Sequence, residues 1–230
     1  PWRVITDAMG RHAQGRMPYP ATLGDWPALA LYLGFIWFEL FGLGRPVPLG
    51  HMLLAYTALN VVGVWLIGRH AWFKHCEFFS VFLRLIALIS PLHYHRAESV
   101  NERSTLHWRT PFSGLLHARP ERISTVVFVL AMLASTAFDG LRATQWWVRL
   151  FWNDPTGIVT LLADTRPMLA YASLRAWYIG WETLCLIASP FIYLAAYLAC
   201  IALAKQLTRS SRPLRELALD FGYSLLPIAL

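Results

Sequence analysis

One stretch of this sequence, residues 183–204, contains 22 consecutive positions without a formally charged side chain. A bilayer core about 30 Å thick is crossed by about 20 apolar residues in a helix. Because lipid offers no hydrogen-bond partners, such a stretch is stable there only as a helix that bonds its own backbone. The stretch therefore predicts a membrane-spanning helix. A cationic anchor at one membrane face is predicted by the residues that follow: Lys205, Arg209, Arg212 and Arg215.

The composition agrees with a membrane location. The chain is 57% hydrophobic and 14% charged, whereas soluble domains have about 25% charged residues. The net charge of +7 comes mostly from residues between apolar segments. We therefore interpret it as loop charges that contact lipid headgroups, with the lipid bilayer and not nucleic acid as the partner. The three cysteines do not form the pattern of a secreted disulfide framework.

Six apolar segments predict an all-α, polytopic membrane protein with about six transmembrane helices, the last of them truncated. The segments are residues 27–43, 48–68, 77–92, 123–138, 177–204 and a last one from about 217. Residues 1–26 form a polar or interfacial N-terminal segment, and residues 27–230 form the helical bundle. Because the sequence begins without Met and ends inside an apolar segment, we expect it to be part of a longer protein.

Two longer connections interrupt the bundle. Residues 93–122 are rich in His, Arg and Glu and predict a solvated loop. Residues 139–176 contain several tryptophans, which prefer the headgroup level, and predict an interfacial loop or partial helix. If each segment crosses the membrane, the basic residues divide almost evenly between the two faces. The dense group at residues 205–215 favours the cytoplasm for its own face.

Ionisable side chains within or beside the segments fall into two predicted layers. One layer, on the side of the N-terminal segment, holds His70, His75, Glu77, Asp139 and Glu182. The other holds Glu39, His51, His93, His95 and Asp220, and Arg84 lies closer to the middle. Because charges are costly in lipid, we expect these side chains to face the interior of the bundle.

The first layer is the sharper candidate for chemistry. Glu77, Asp139, Glu182 and His75 are predicted to converge on one site. Carboxylates crowded in a low dielectric favour each other's protonated forms, so one acts as general base while another stays protonated. The same groups could instead hold a divalent metal that activates water. The alternative is that these charges, Arg84 in particular, form ion pairs that hold the helices together.

The spacing of His93 and His95 also suits a pair of metal ligands, against the alternative of solvated interfacial histidines. No sequence motif of a known metalloprotease, serine hydrolase or nucleotide-binding loop is present. The chemistry is therefore not identified by residue spacing alone.

Several fragments together resemble one bacterial family of polytopic membrane proteins, the fenitrothion hydrolase-like proteins. They are WFELFGLGRPVPLG (37–50), FSVFLRLIALISPL (79–92), RTPFSGLL (109–116), LASTAFDGLRATQWW (133–147) and FGYSLLPIAL (221–230). The resemblance covers roughly residues 33–230. It implies hydrolysis of an organophosphate ester in the bacterial inner membrane, and it makes Glu39 and Asp139 functional candidates.

Three functions follow from these observations. The first is a membrane hydrolase in which a hydrophobic ester reaches an intramembrane polar site. The second is a non-catalytic subunit of a larger membrane complex, with structural ion pairs and other membrane subunits as partners. The third is a transporter that uses the same carboxylates as ion sites, although the sequence has no inverted repeat.

Overall fold

The computed structural model describes residues 2–8, 10, 14–42, 46–95 and 105–229, and helices dominate it. The first half contains α1 (Trp2–Asp7), α2 (Trp26–Phe41), α3 (Pro46–Ile67), α4 (Arg69–Ala71), a π-helix (Trp72–Cys76), α5 (Phe78–Ile89), β1 (Leu92–His95) and β2 (Thr105–Trp108). The second half contains α6 (Ser113–His117), α7 (Ile123–Arg142), α8 (Gln145–Trp152), α9 (Ile158–Ala163), α10 (Tyr171–Thr208), α11 (Leu214–Asp220) and α12 (Leu226–Ala229). Short 3₁₀ turns cover Ala21–Leu23, Pro167–Leu169 and Gly222–Leu225.

Among the described residues, three helices are long and apolar enough to cross a membrane: residues 48–67 of α3, α7 and α10. The predicted helical class is therefore confirmed, whereas six spanning helices are not supported. The side chains of α7 are mostly buried within the protein, but α3 and α10 leave most of theirs at least partly exposed. This is the distribution expected if α3 and α10 face lipid and α7 lies at the centre of the bundle.

The helices α2 and α7 run in the same direction. At their first residues, the Asp25 backbone N–H donates to Ser124 Oγ at 3.0 Å. At their last residues, Arg142 Nη1 donates to the Leu40 carbonyl oxygen at 3.1 Å. We call these two ends of the bundle the Asp25 end and the Arg142 end.

The main core forms where α7 packs against α2, α5 and α12. Its buried side chains include Leu29, Phe78, Phe128, Met132 and Leu226. The helix α10 also packs along α7, but it runs in the opposite direction. Glu182, nearer the start of α10, lies beside Arg142 at the end of α7, and Tyr197, further along α10, packs on the first turns of α7. With 38 residues, α10 is about 57 Å long, more than a bilayer core requires.

Residues 69–89 turn back on themselves. The π-helix runs beside α3 but in the opposite direction. Trp72 Nε1 donates to Asn60 Oδ1 at 2.8 Å, and five residues later Glu77 accepts a hydrogen bond from Tyr56, one helical turn nearer the start of α3. Glu77 then caps α5, because its carboxylate accepts the backbone N–H groups of the next turn.

The helix α5 returns towards the Asp25 end. The Phe78 ring, at its start, packs on the Phe35 ring with centroids 5.2 Å apart. Phe35 lies ten residues, or about 15 Å, along α2 from Asp25. Six residues further along α5, Arg84 Nη2 is 3.9 Å from Asp25 Oδ2. The helix therefore begins in the middle of the bundle and ends beside the start of α2.

This path corrects the predicted alternation of six crossings. The third apolar segment, residues 77–92, forms a helix of 12 residues. That helix is about 18 Å long, which is too short for a bilayer core of about 30 Å. The sixth segment is also no spanning helix in the part of the chain that is described, because it breaks into α11, a 3₁₀ turn and the four-residue α12.

Both predicted connections contain regular structure. Residues 93–122 contribute to an antiparallel β-hairpin, with β1 paired to β2, and to α6. Residues 139–176 are largely helical, which corresponds to the partial helix among the two predicted alternatives. Asp154 caps α9 there by accepting the Thr160 N–H at 2.7 Å. Burial alone would raise the pKa of Asp154, but hydrogen bonds from residues 156–160 outweigh it and lower that pKa.

Candidate functional site

A cavity of about 460 Å³ lies at the Arg142 end, where α2 and α7 finish and α10 begins. Small-molecule sites in proteins usually have volumes of about 300–1,000 Å³. The lining combines charged, aromatic and apolar side chains: Glu39, Leu40, Phe41, Gly42, Arg142, Trp152, Tyr171, Arg175, Tyr178, Ile179 and Glu182. The cavity therefore brings together Glu39 and Glu182, which the sequence had placed in different layers.

One face of α10 supplies almost half of this lining. Tyr171, Arg175, Tyr178 and Glu182 are separated by four, three and four residues. Residues at such spacings lie on the same face of a helix. This spacing was a signal in the sequence, but its first two residues, Tyr171 and Arg175, lie ahead of the segment 177–204 that the apolar pattern marks.

Glu182 is the most buried charged group of the cavity, with 2% of its surface exposed. Its Oε1 accepts a hydrogen bond from Trp147 Nε1 at 3.3 Å and lies 3.6 Å from Arg142 Nε. Arg142 also donates to the Leu40 carbonyl and lies over the Phe41 ring, 4.9 Å from its centroid. These contacts fix one guanidinium and one carboxylate in the wall of the cavity.

Glu39 and Arg175 are the exposed charges of the same cavity. Glu39 lies in the last turn of α2, and Arg175 lies in the second turn of α10. With Arg142 and Glu182 they give the cavity two carboxylates and two guanidiniums. Such a set can accept a proton from water and can stabilise negative charge on a phosphoryl or carbonyl oxygen.

An aromatic cluster supports the wall behind Glu182. The Trp147 and Trp181 rings stack with centroids 4.3 Å apart, and Phe151 packs against Trp181 and Tyr178. The sequence had assigned the tryptophans of residues 139–176 to the membrane interface. The structure buries Trp147 and Trp152 in this cluster and leaves Trp146 exposed.

Glu77, Asp139 and Glu182 do not meet in one site. Glu77 is buried where α3 meets α5 and accepts hydrogen bonds from Tyr56 and from the start of α5, at 2.7 Å from the Ser80 N–H. Asp139 is exposed on the last turns of α7. In the described part of the chain, its side chain makes no hydrogen bond and no ion pair. The predicted convergence fails because α5 does not cross the bundle and Asp139 faces away from it.

His75 belongs to a second polar centre, at the Asp25 end. Its Nδ1 lies 2.8 Å from Asp25 Oδ1. Asp25 is 3% exposed and also accepts a hydrogen bond from the Thr125 hydroxyl. The Tyr19 ring stacks on the His75 ring, and burial raises the pKa of Tyr19, so this hydroxyl stays neutral.

The sequence prediction missed Asp25 because it falls inside the polar N-terminal segment 1–26. One signal was available, since Asp is favoured at the residue before a helix and an apolar helix starts at Trp26. Asp25 occupies that cap position but uses its carboxylate for His75 and Thr125 instead of its own helix.

His93 lies on β1 directly opposite His107 of β2, and both are exposed. His95 pairs in the backbone register with Thr105, and its side chain is outside the described atoms. In the described part of the chain, no group of three or more His, Cys, Asp or Glu side chains is placed to hold a metal ion. Metal binding by His75, His93 and His95 therefore stays a prediction.

Comparisons with protein-family models, with curated proteins and with solved structures found no match. The geometry of the cavity and of the polar centres is therefore the basis for the functional argument.

Proposed function

We propose that this chain is a multi-pass protein of the bacterial inner membrane that hydrolyses a hydrophobic organophosphate ester in the cavity at the Arg142 end. The observation that carries the proposal is the meeting of Glu39, Glu182, Arg142 and Arg175 in one ligand-sized cavity. The apolar outer surfaces of α3 and α10 support a membrane location. The resemblance to fenitrothion hydrolase-like proteins suggests the class of substrate.

In this proposal Glu39 is the general base. It is exposed to the cavity, whereas the carboxylate of Glu182 already accepts a hydrogen bond from Trp147 and faces Arg142. A base must reach the proton that it removes, and this favours the more accessible carboxylate. Glu182 acts as a positioning residue, because it holds Arg142 in the cavity wall.

The reaction is a displacement at phosphorus. Glu39 takes a proton from a water molecule as the water oxygen bonds to phosphorus. The bond between phosphorus and the leaving aryloxide oxygen breaks, and the electron pair stays on that oxygen. Arg142 and Arg175 stabilise the negative charge that develops on the remaining oxygens, as guanidiniums do in phosphoryl transfer. The aryloxide leaves as the anion, and Glu39 returns its proton to solvent.

The proposal predicts that Glu39→Gln lowers kcat by about 100-fold or more, which is the usual contribution of a general base. The assay uses the purified protein in lipid nanodiscs and a dialkyl 4-nitrophenyl phosphate, with release of nitrophenolate as the readout. Glu216→Gln is the matched control, because Glu216 is an exposed carboxylate at the Asp25 end, where it pairs with Arg212 and not with a residue of the cavity. We expect the control to keep the wild-type rate.

Two results would contradict the proposal: a wild-type protein that neither binds nor hydrolyses the ester, or an unchanged rate in Glu39→Gln. Asp139→Asn belongs in the same series, because the resemblance also makes Asp139 a candidate. If only Asp139→Asn loses activity while folding normally, the reaction takes place at the exposed side of α7 and not in the cavity.

A non-catalytic subunit of a membrane complex is the second candidate. It is favoured by the contacts of Glu182, since a buried carboxylate with both a Trp N–H and a guanidinium beside it is what a structural ion pair requires. This function predicts that the Glu182 and Glu39 variants alter stability or recovery of partner subunits and that no ester is hydrolysed by the wild-type protein.

A further inference from the structure

We propose that residues 69–89 form a re-entrant hairpin, which enters and leaves the membrane on the face at the Asp25 end. The proposal rests on the membrane location proposed above. Its first support is the direction of the helices. Since α2 finishes at the Arg142 end and α7 starts at the Asp25 end, the chain between them must cross an odd number of times. The helix α3 supplies one crossing, so the rest of the connection supplies an even number. Because α5 has only 12 residues and is too short to cross, residues 69–89 supply none.

The second support is the set of contacts that holds both arms of the hairpin at one end. Asp25 lies 2.8 Å from His75 on the entering arm and 3.9 Å from Arg84 on the returning arm. Arg84 Nη1 also donates to the carbonyl oxygen of Lys74 at 2.8 Å, which joins the two arms directly. Asp25 is therefore a positioning residue for the hairpin.

The third support is the way the turn satisfies its backbone. Non-helical backbone at membrane depth is tolerated only where it is buried in protein or lines a cavity. Here Cys76 and Glu77 are buried, and the Glu77 carboxylate accepts the N–H groups of Phe79 and Ser80 at 3.1 and 2.7 Å. Two of the free N–H groups at the start of α5 are thus bonded inside the bundle.

Single-cysteine labelling in sealed vesicles tests the topology. Cys76, Cys185 and Cys200 are first replaced, and a membrane-impermeant maleimide is added from one side. We expect His70→Cys and His93→Cys, which flank the hairpin, to react from the same face as Arg119→Cys. Thr144→Cys, beyond the far end of α7, should react only from the opposite face.

If His93→Cys reacts from the same face as Thr144→Cys, the hairpin is overturned. Labelling of Arg119→Cys and Thr144→Cys from the same face would show that α7 does not cross, which overturns the membrane topology and both proposals. As a second measurement, Asp25→Asn should increase the reactivity of native Cys76 in detergent at least several-fold. Unchanged reactivity would contradict the positioning role of Asp25.

A separate observation, the register of β1 and β2, assigns a lipid-binding surface to the β-hairpin. Leu92 pairs with Trp108 and Tyr94 pairs with Leu106, so these four side chains share one face of the hairpin. All four are exposed, Trp108 most of all with 78% of its surface accessible. His93, Thr105 and His107 occupy the other face. The hairpin is therefore amphipathic, with an uncovered apolar face.

We infer that this apolar face lies in the headgroup region of the bilayer at the Asp25 end. Trp and Tyr prefer that level of a membrane. The hairpin is also fixed to the end of α5, because the Arg109 N–H donates to the Pro91 carbonyl oxygen at 2.7 Å and Arg109 Nε donates to the Ser90 carbonyl oxygen at 2.9 Å. A two-stranded hairpin is only marginally stable in water alone, so contact with lipid would stabilise it.

Adjacent spin labels on β2 provide the test. In nanodiscs, a nitroxide at Trp108→Cys should collide mainly with oxygen, which dissolves in lipid, and one at His107→Cys mainly with a water-soluble nickel complex. Equal exposure of both labels to the nickel complex would overturn the inference. Equal protection of both would place a protein partner, and not lipid, over the hairpin and would also overturn it.

Discussion

Arg142→Met is expected to lower the free energy of unfolding by about 3 kcal/mol, because it leaves the buried Glu182 carboxylate without its cation. Glu182 is 2% exposed, so little water reaches its carboxylate to compensate for the lost guanidinium. Methionine keeps an apolar stem of similar length over the Phe41 ring. The measurement is thermal or denaturant unfolding of the purified protein in detergent micelles.

The double variant Arg142→Met, Glu182→Gln separates the cost of an unpaired charge from the loss of packing. Glutamine keeps an acceptor oxygen for Trp147, and neither charge remains. We expect the double variant to lie within about 1 kcal/mol of wild type, since replacing a whole buried pair is often nearly neutral. If the double variant loses as much free energy of unfolding as the two single variants together, the pair is not coupled. If the wild-type protein hydrolyses the ester and a stable double variant does not, the catalytic function is favoured over the subunit function.

Asp25→Asn is expected to lower the free energy of unfolding by about 2–4 kcal/mol, because one buried carboxylate serves several elements at once. Its oxygens contact His75 of the π-helix, Thr125 of α7 and Arg84 of α5. The neutral amide keeps the shape of the side chain but loses the attraction to Arg84 and replaces one acceptor oxygen by a donor. The same unfolding measurement applies.

Asp220→Asn is the matched control for that variant. Asp220 also pairs with two basic side chains, Arg212 at 2.6 Å and Arg119 at 3.5 Å, but its side chain is 25% exposed and both arginines are at least half exposed. Exposed ion pairs contribute about 0–1 kcal/mol. We therefore expect a change below about 1 kcal/mol for Asp220→Asn. Equal effects of the two variants would show that burial does not give Asp25 its importance.

The sequence predicted the long helices well because length and apolar content determine them. The segments 48–68, 123–138 and 177–204 correspond to α3, α7 and α10, with ends that differ by up to six residues. The path of segment 77–92 could not be predicted in this way, because an apolar helix that turns back has the same composition as one that crosses the membrane. Its direction is shown by contacts in the folded protein, such as Phe78 with Phe35 of α2 and Arg84 with Asp25.

The candidate site depended on the same choice of direction. With alternating crossings, the sequence prediction placed Glu39 at the other end of the bundle from Glu182. It placed Glu77 at the same end as Glu182. Because residues 69–89 turn back, α7 runs parallel to α2, so Glu39 and Arg142 reach the same end and Glu182 meets them on α10. Asp139 and the resemblance to hydrolases stay predictions, and the assay of the Glu39 and Asp139 variants tests both.

The sequence by itself determined the class of this protein. A chain with uninterrupted apolar stretches of 20 residues or more must bond its backbone internally, and helices do so without any partner segment. The tertiary structure alone decided which ends of those helices meet. That depends on contacts between residues far apart in the chain, such as Asp25 with His75 and Thr125, and Glu182 with Arg142. Hydrophobic periodicity carries no information about such pairs, because it reports which side chains avoid water and not which neighbour they meet.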